Sequence, residues 1–304
     1  MKQSLTPIKK THFGIARKIV SNMTSESWET IPHVVVTYEP EVTQLLNVIK
    51  EINDKGDAHI TINTVMLKVI TEGLKACPAM NAHLNFNRKL VRGNITQFEE
   101  INISMPMMLN TGEMMTVNMH NMHSKSITEM QDAIKDTRRR ANNSDMNEVM
   151  FEVSLDNTLN GLKEGKIIQT INRLVGSKTG KHKVKTLTGS AKKEYYSIPK
   201  NDRLTKHDIE QGTITISNMG SIYRDWCDGC CTLLEIIPPQ VAAIAIGSTQ
   251  LKPIAQTDGT VRTGYKLPMT IAFDHRALDA GDVVPFMKKL DEIFANPQII
   301  KEWI

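Results

Sequence analysis

The sequence predicts an α/β fold, and three observations predict it. Short β-branched or alternating runs, such as Val34-Val35-Val36-Thr37-Tyr38 and Thr213-Ile214-Thr215-Ile216-Ser217, carry the two-residue period of a strand. Longer stretches between such runs, among them 42–52 and 126–142, repeat their apolar residues at helical spacing. A continuous apolar run, Val241-Ala242-Ala243-Ile244-Ala245-Ile246, reads as a strand buried on both faces. Strands interleaved with amphipathic helices place the helices against a sheet.

Taken in order, residues 8–23 carry Ile8, Ile15, Ile19 and Met23 on one stripe, which predicts a helix with Arg17 and Lys18 off it. Ile31-Pro32-His33 then leads into a strand, and His33 is read as structural. The helix over 42–52 closes at the turn 53–57. A helix over 64–76, capped by Asn63, is stopped by Cys77-Pro78. Residues 80–85 and 89–92 read as short strands around a turn, and 101–105 alternates as a half-buried strand. A further strand covers 114–119, after a turn at 110–113. The helix over 126–142 ends in Arg138-Arg139-Arg140, which complements its dipole. Helical spacing returns at 149–171, and 203–210 forms a short helical turn before the strand of residues 213–217. The last elements are a strand within 267–272 and a closing helix over 285–294.

Composition excludes several classes. At 304 residues, with 40% hydrophobic and 23% charged residues, the chain is an ordinary globular protein with a sizeable core. Its net charge of +4 is too small to imply nucleic acid. No apolar run approaches the roughly 20 residues of a membrane span, and the N-terminus lacks a signal-peptide core, so a cytoplasmic location is expected. The four cysteines, Cys77, Cys227, Cys230 and Cys231, suit a reducing compartment. Cys227-x-x-Cys230 has no second ligand pair, so local packing is preferred to a redox or zinc site and no metal is expected.

Charge is unevenly spread. From Lys163 to Lys206 twelve Lys or Arg face three acidic residues, a local +9 that leaves −5 for the rest of the chain. Residues 177–185 and 189–193 read as a basic loop or arm, either a solvated face or an anion-binding surface. Met107, Met108, Met114, Met115, Met119 and Met122 form a second cluster, read either as core or as a wall for a long, mobile ligand.

Two stretches carry chemistry. In 213–217 the alternation puts Thr213, Thr215 and Ser217 on one face, a hydroxyl row that can hydrogen-bond a ligand or a developing charge. In Phe273-Asp274-His275-Arg276-Ala277-Leu278-Asp279-Ala280-Gly281-Asp282, His275 and Asp279 stand four apart where a strand gives way to a small-residue turn. An imidazole anchored at a sheet edge is a candidate general base.

The ordered stretches Gly212–Gly220, Ile237–Ile244 and Phe273–Gly281 resemble the catalytic domain of the acyltransferase component of 2-oxo acid dehydrogenase complexes, whose fold chloramphenicol acetyltransferase shares. Weaker echoes occur at 17–23, 31–33, 78–82 and 125–130. The resemblance implies one catalytic domain over 1–304, a two-layer sandwich of a mixed sheet covered by helices, with a foreign basic insertion at about 145–201. It implies that His275 takes the proton of a thiol, of coenzyme A or dihydrolipoamide, so that the thiolate attacks an acyl thioester. An imidazole titrating near neutrality is matched to a thiol a couple of units higher. Ser217 then hydrogen-bonds the tetrahedral oxyanion, a contact whose loss costs about 3 kcal/mol. Asn218 supports it, and Asp279 holds the His275 loop, with Arg17 as the candidate partner. The site lies between subunits of a homotrimer, or of a higher assembly of trimers, His275 coming from one subunit and Ser217 from the next.

Three departures accompany the resemblance. Ala280 stands where the family has glycine directly after the motif aspartate. Gly112-Glu113-Met114-Met115-Thr116-Val117-Asn118 replaces an apolar Gly-Leu-x-x-Pro-Val stretch that lines the coenzyme site. No lipoyl or subunit-binding domain precedes Thr6, so the chain is expected to carry no lipoyl group and to be either an excised catalytic domain or a stand-alone relative. Coenzyme A or acyl-CoA is the implied substrate, and a separate lipoyl-bearing protein a possible acceptor. Two further readings stay open. One is the same fold acylating a small amine or alcohol; the other is a silent scaffold whose basic arm, Lys178 to Lys193, docks an acidic partner.

Overall fold

In the computed structural model, residues 6–56, 59–109, 112, 114–163, 167, 171, 175, 186–222 and 229–304 are described. Ten strands are resolved among them: β1 (His33–Tyr38), β2 (Ala82–Asn87), β3 (Arg92–Gln97), β4 (Ile103–Met108), β5 (Met114–Met119), β6 (Ile214–Asn218), β7 (Ala242–Ile246), β8 (Gln250–Ala255), β9 (Val261–Lys266) and β10 (Met269–Asp274). Six form one mixed sheet in the order β1-β10-β7-β6-β4-β5, while β2-β3 and β8-β9 are separate hairpins. β6 runs parallel to β4 and β7; β10 is antiparallel to both β1 and β7. The mixed sheet covered by helices is the predicted architecture.

The main helices are α1 (Ile15–Thr30), α2 (Thr43–Lys55), α3 (Ile62–Ala76), α4 (Ile127–Asn142) and α5 (Met146–Lys163). They are followed by α6 (Gly189–Ser197), the single turns α7 (Lys206–Ile209) and α8 (Met219–Ile222), and α9 (Ala280–Ala295). Helix α4 starts at a capping box, Ser126 accepting from the Glu129 N–H while Glu129 takes the Ser126 N–H.

Several sequence expectations need correction. Helix α1 begins at Ile15 and runs to Thr30, not 8–23, because its N-cap is Gly14 and nothing buries Ile8. Helix α3 is capped by Thr61, whose hydroxyl accepts from the Thr64 N–H, rather than by Asn63. Residues 189–193, read as loop, open helix α6, which buries Tyr195 beneath Arg203. The β8-β9 hairpin has no counterpart among the strands the sequence predicts. Residues 177–185 and Cys227 lie outside the described residues, as do parts of 164–174.

The sheet has two unlike faces. Ile214, Ile216, Ile244, Ile246, Ile271 and Phe273 point to one side, into the core beneath α2, α3 and α9. Gly73 lets α3 and α9 approach closely, since a Cβ there would come within 2.8 Å of Leu290 and Phe286. The opposite face carries small residues: Thr215, Ser217, Ala243, Ala245, Thr270 and Ala272. Part of it is covered by Ile31, Leu234 and Ile236.

Candidate active site

The His275 end is built from the end of β10. Asp274 is fully buried at the close of an otherwise apolar strand, and a buried carboxylate needs a partner. Arg276 supplies it from two residues on: its Nη2 donates to Asp274 Oδ2 at 2.6 Å, and its Nε and backbone N–H reach Oδ1 at 3.0 and 2.9 Å. Helped by the Ala277 and Leu278 N–H groups, which donate to the Asp274 carbonyl, this pair closes a tight turn with His275 at its tip. The His275 backbone N–H donates to the Pro32 carbonyl at 3.0 Å, tying the turn to the entry of β1. The Arg276 guanidinium also lies 5.9 Å from the Phe86 ring of the β2-β3 hairpin.

Within that turn His275 Nδ1 lies 3.2 Å from the Leu278 carbonyl and 3.2 Å from Asp279 Oδ1. Both are acceptors, so Nδ1 is the nitrogen that donates, and in the neutral ring Nε2 holds the lone pair. The ring is about half exposed. That is the tautomer and the access a general base requires. Asp279 is the N-cap of α9, its N–H donating to Asp282 Oδ2 at 2.8 Å. Ala280 fits as the first helical residue, and a Cβ at Gly281 would meet nothing within 4 Å, so the order of these two residues leaves an ordinary helix start.

The hydroxyl row of 213–217 is not uniform. Thr213 Oγ1 accepts from the Asn102 N–H and donates to its carbonyl; Thr215 donates to Gln240 Oε1 at 2.6 Å. Buried Gln240 in turn donates to the Gly212 carbonyl at 2.9 Å, which explains the polar residue inside Pro238-Pro239-Gln240-Val241. Ser217 alone is half-buried and, among the described residues, its hydroxyl has no hydrogen bond. Asn218 points to the core face and donates to Asn63 Oδ1 at 3.1 Å, so it braces the strand rather than standing beside Ser217.

His275 and Ser217 are far apart in one chain. Ser217 is level with Ala245 of β7 and, through it, with Thr270 of β10. His275 lies five residues past Thr270 and two strand spacings over, about 16 Å along and 10 Å across, or about 19 Å in all. Arg17 is exposed on α1 and, among the described residues, no ion pair joins it to Asp279; the expected Arg17–Asp279 contact is replaced by Asp279 beside His275. Asp274 and Arg276 were missed as functional residues. The available signal was an acidic residue ending an apolar strand with an arginine two positions on. A cavity of about 460 Å³ lined by Lys75, Asn81, Glu99 and His123 includes neither His275 nor Ser217. Among the described residues no group of three His, Cys, Asp or Glu is placed to hold a metal.

This geometry can be set beside known proteins. A family model described as 2-oxoacid dehydrogenases acyltransferase (catalytic domain) matches residues 7–154 and 183–301. The chain belongs to this family. The dihydrolipoyllysine-residue acetyltransferase component of the pyruvate dehydrogenase complex of Zymomonas mobilis is 22% identical over 296 residues, 96% of this chain and 51% of that protein. The chain thus spans about half the length of the curated relatives it matches. A probable dihydrolipoamide acetyltransferase from Listeria monocytogenes shares the fold, with a TM-score of 0.63, 17% identity and 94% of each chain covered. So does the Azotobacter vinelandii dihydrolipoamide acetyltransferase, studied for a serine, a histidine and an asparagine in its catalytic mechanism; its TM-score is 0.60 at 16% identity, over 97% of this chain and 94% of that one. In this member of the acyltransferase family, residues 155–182 fall between the two matched stretches.

Proposed function

We propose that the protein transfers an acyl group between coenzyme A and a thiol such as dihydrolipoamide, in a site completed by two subunits of a homotrimer. The observation that carries the reading is the separation of about 19 Å between a base-competent imidazole and the one hydroxyl of the β6 row left without a partner. Neither group serves acyl transfer alone, and a neighbouring subunit is the economical source of the second. The histidine and asparagine of the Azotobacter enzyme stand four residues apart, as His275 and Asp279 do here, and that enzyme also uses a serine.

In this reading His275 Nε2 accepts the thiol proton while Nδ1–H stays bonded to the Leu278 carbonyl and Asp279. The thiolate adds to the thioester carbonyl, and the Ser217 hydroxyl of the adjoining subunit donates to the oxyanion. Collapse expels the other thiolate, which recovers the proton from His275. Asp279 steadies the imidazolium and caps α9. Since the Zymomonas relative is named as a dihydrolipoyllysine-residue acetyltransferase component of a complex, a separate lipoyl-bearing protein is the proposed acceptor in a multienzyme assembly.

Subunit complementation tests both halves of the proposal. His275→Ala and Ser217→Ala should each be inactive in acyl transfer from acetyl-CoA to dihydrolipoamide. Unfolding and refolding them together should restore about a quarter of the sites, because each site draws one group from each of two neighbours. Mixed protein that stays inactive while forming trimers refutes the shared site; a wild-type rate in His275→Ala refutes the reaction.

A further inference from the structure

The methionine cluster noted in the sequence divides into two sets that face opposite ways. Met107, Met115, Met119 and Met122 are buried in the core. Met108 and Met114, cross-strand partners at the turn end of the β4-β5 hairpin, are 45% and 46% exposed on the other face. That is the face that carries Ser217. Residues 104, 106 and 108 share one side of β4, and 114, 116 and 118 the matching side of β5. Exposure climbs along it, from Ser104 at 4% and Asn118 at 6%, through half-buried Pro106, to the two methionines.

A proline sets where this face opens. The Ile214 N–H donates to the Asn102 carbonyl, and the parallel register pairs Ile103 with Ile214 and Ser104 with Thr215. Continuing that ladder calls for a bond from residue 106 to the Ile216 carbonyl. Pro106 has no N–H, and the β4-β6 pairing ends at Ser104–Thr215, two residues short of Ser217. The strands are therefore not laced together beside Ser217. Extending the register puts Met108 about 8 Å and Met114 about 12 Å from Ser217, Cα to Cα, within reach of long side chains and a short ligand.

We propose that Met108 and Met114 form the wall that receives the apolar chain of the acyl group, selecting medium-length acyl thioesters over acetyl. The inference rests on the acyltransferase reading above and gives it a substrate class. Three features favour an acyl chain here. The strip passes the hydroxyl assigned to the thioester carbonyl, since the extended register sets Ser217 level with Pro106. It bears no charged residue at 104–108 or 114–118, so it offers nothing to the phosphates of the coenzyme. Its far end is two unbranched thioethers, which adapt to a flexible chain.

The test is the ratio of kcat/KM for octanoyl-CoA to that for acetyl-CoA, with dihydrolipoamide as acceptor. Wild-type protein should prefer octanoyl-CoA. Met108→Ala/Met114→Ala should lower the ratio about tenfold, the size of effect a few lost methylene contacts produce. Met108→Leu/Met114→Leu should hold it within about threefold, because apolar volume is kept. A wild-type preference for acetyl-CoA overturns the inference, as does an unchanged ratio in the alanine variant. Dissociation of that variant's trimer in sedimentation also overturns it, by assigning the pair to the contact with a second copy. Failure of the underlying reaction is seen separately, as absence of His275-dependent turnover with either donor.

Discussion

The two ends of the central sheet solve opposite problems. At the His275 end everything is tied down. Asp274 is fully buried, Arg276 grips it through several hydrogen bonds, and the imidazole that emerges has one nitrogen committed to Leu278 and Asp279. At the Ser217 end bonds are withheld. Thr213 and Thr215 spend their hydroxyls on Asn102 and Gln240, Ser217 does not, and Pro106 stops the neighbouring ladder before reaching it. A base must hold one tautomer and orientation, which takes a rigid cradle; an oxyanion donor must keep its hydrogen bond in reserve for the transition state. The contrast teaches that satisfied and unsatisfied polar groups are distributed by task.

The largest expected effect comes from deleting the tied-down end. His275→Ala should reduce kcat by about 10²- to 10⁴-fold, the range for losing a general base, with little change in KM for acyl-CoA. A pre-steady-state assay of thiol release reads it. If KM rises and kcat holds, His275 binds substrate instead.

Removing the reserve donor comes next. Ser217→Ala should cost about 10²- to 10³-fold in kcat. Thr215→Ala, on the same face of the same strand, should instead lower thermal stability, since it leaves buried Gln240 Oε1 without its donor. If the two variants lose kcat equally, the distinction drawn along β6 is wrong.

The cradle can be loosened without touching His275. Arg276→Met strands the buried Asp274 carboxylate and should destabilise the fold by about 3 kcal/mol or more. Asp274→Asn/Arg276→Met removes the charge as well and should recover part of that loss, though not kcat, if the pair orients the turn. Asp279→Asn should act least on rate, about fivefold or less. The carboxylate is mostly exposed, where such contacts contribute little, and the Leu278 carbonyl still holds Nδ1. A thousandfold loss there would return Asp279 to the catalytic group.

Much of this was legible in the sequence, for identifiable reasons. Strands 33–38, 114–119 and 242–246 announce themselves by β-branched, alternating or continuous apolar residues, and α4 by apolar residues at helical spacing. His275 stood out because the turn after an apolar strand is local chemistry. The β8-β9 hairpin stayed hidden because Leu251, Val261 and Tyr265 face solvent, so no apolar stripe marks it. The separation of His275 from Ser217 could not be read, since it depends on the order β10-β7-β6, a product of contacts distant in sequence. Nor could the Thr215–Gln240 bond, which together with burial distinguishes Thr215 from Ser217.

A smaller effect concerns pH and the strand that presents Ser217. His83 Nε2–H donates to the Gly212 carbonyl at 3.1 Å, just before β6, and burial pushes its pKa below the ordinary histidine value, with that carbonyl opposing the shift in part. The folded protein therefore prefers His83 neutral. Below about pH 6.5 the unfolded chain binds the proton more readily, so stability present above that pH is lost as pH falls towards the folded value. His83→Gln keeps a donor for Gly212 and cannot titrate in this range. Melting temperatures followed from pH 7.5 to 5 should fall more steeply for wild type than for His83→Gln, closing the gap between them. Parallel curves would place the acid sensitivity elsewhere, with His120, also pushed down by burial, as the next residue to change. If the steep limb in wild type also lowers kcat at acid pH more than in His83→Gln, the Gly212 anchor governs the Ser217 end independently of the His275 cradle.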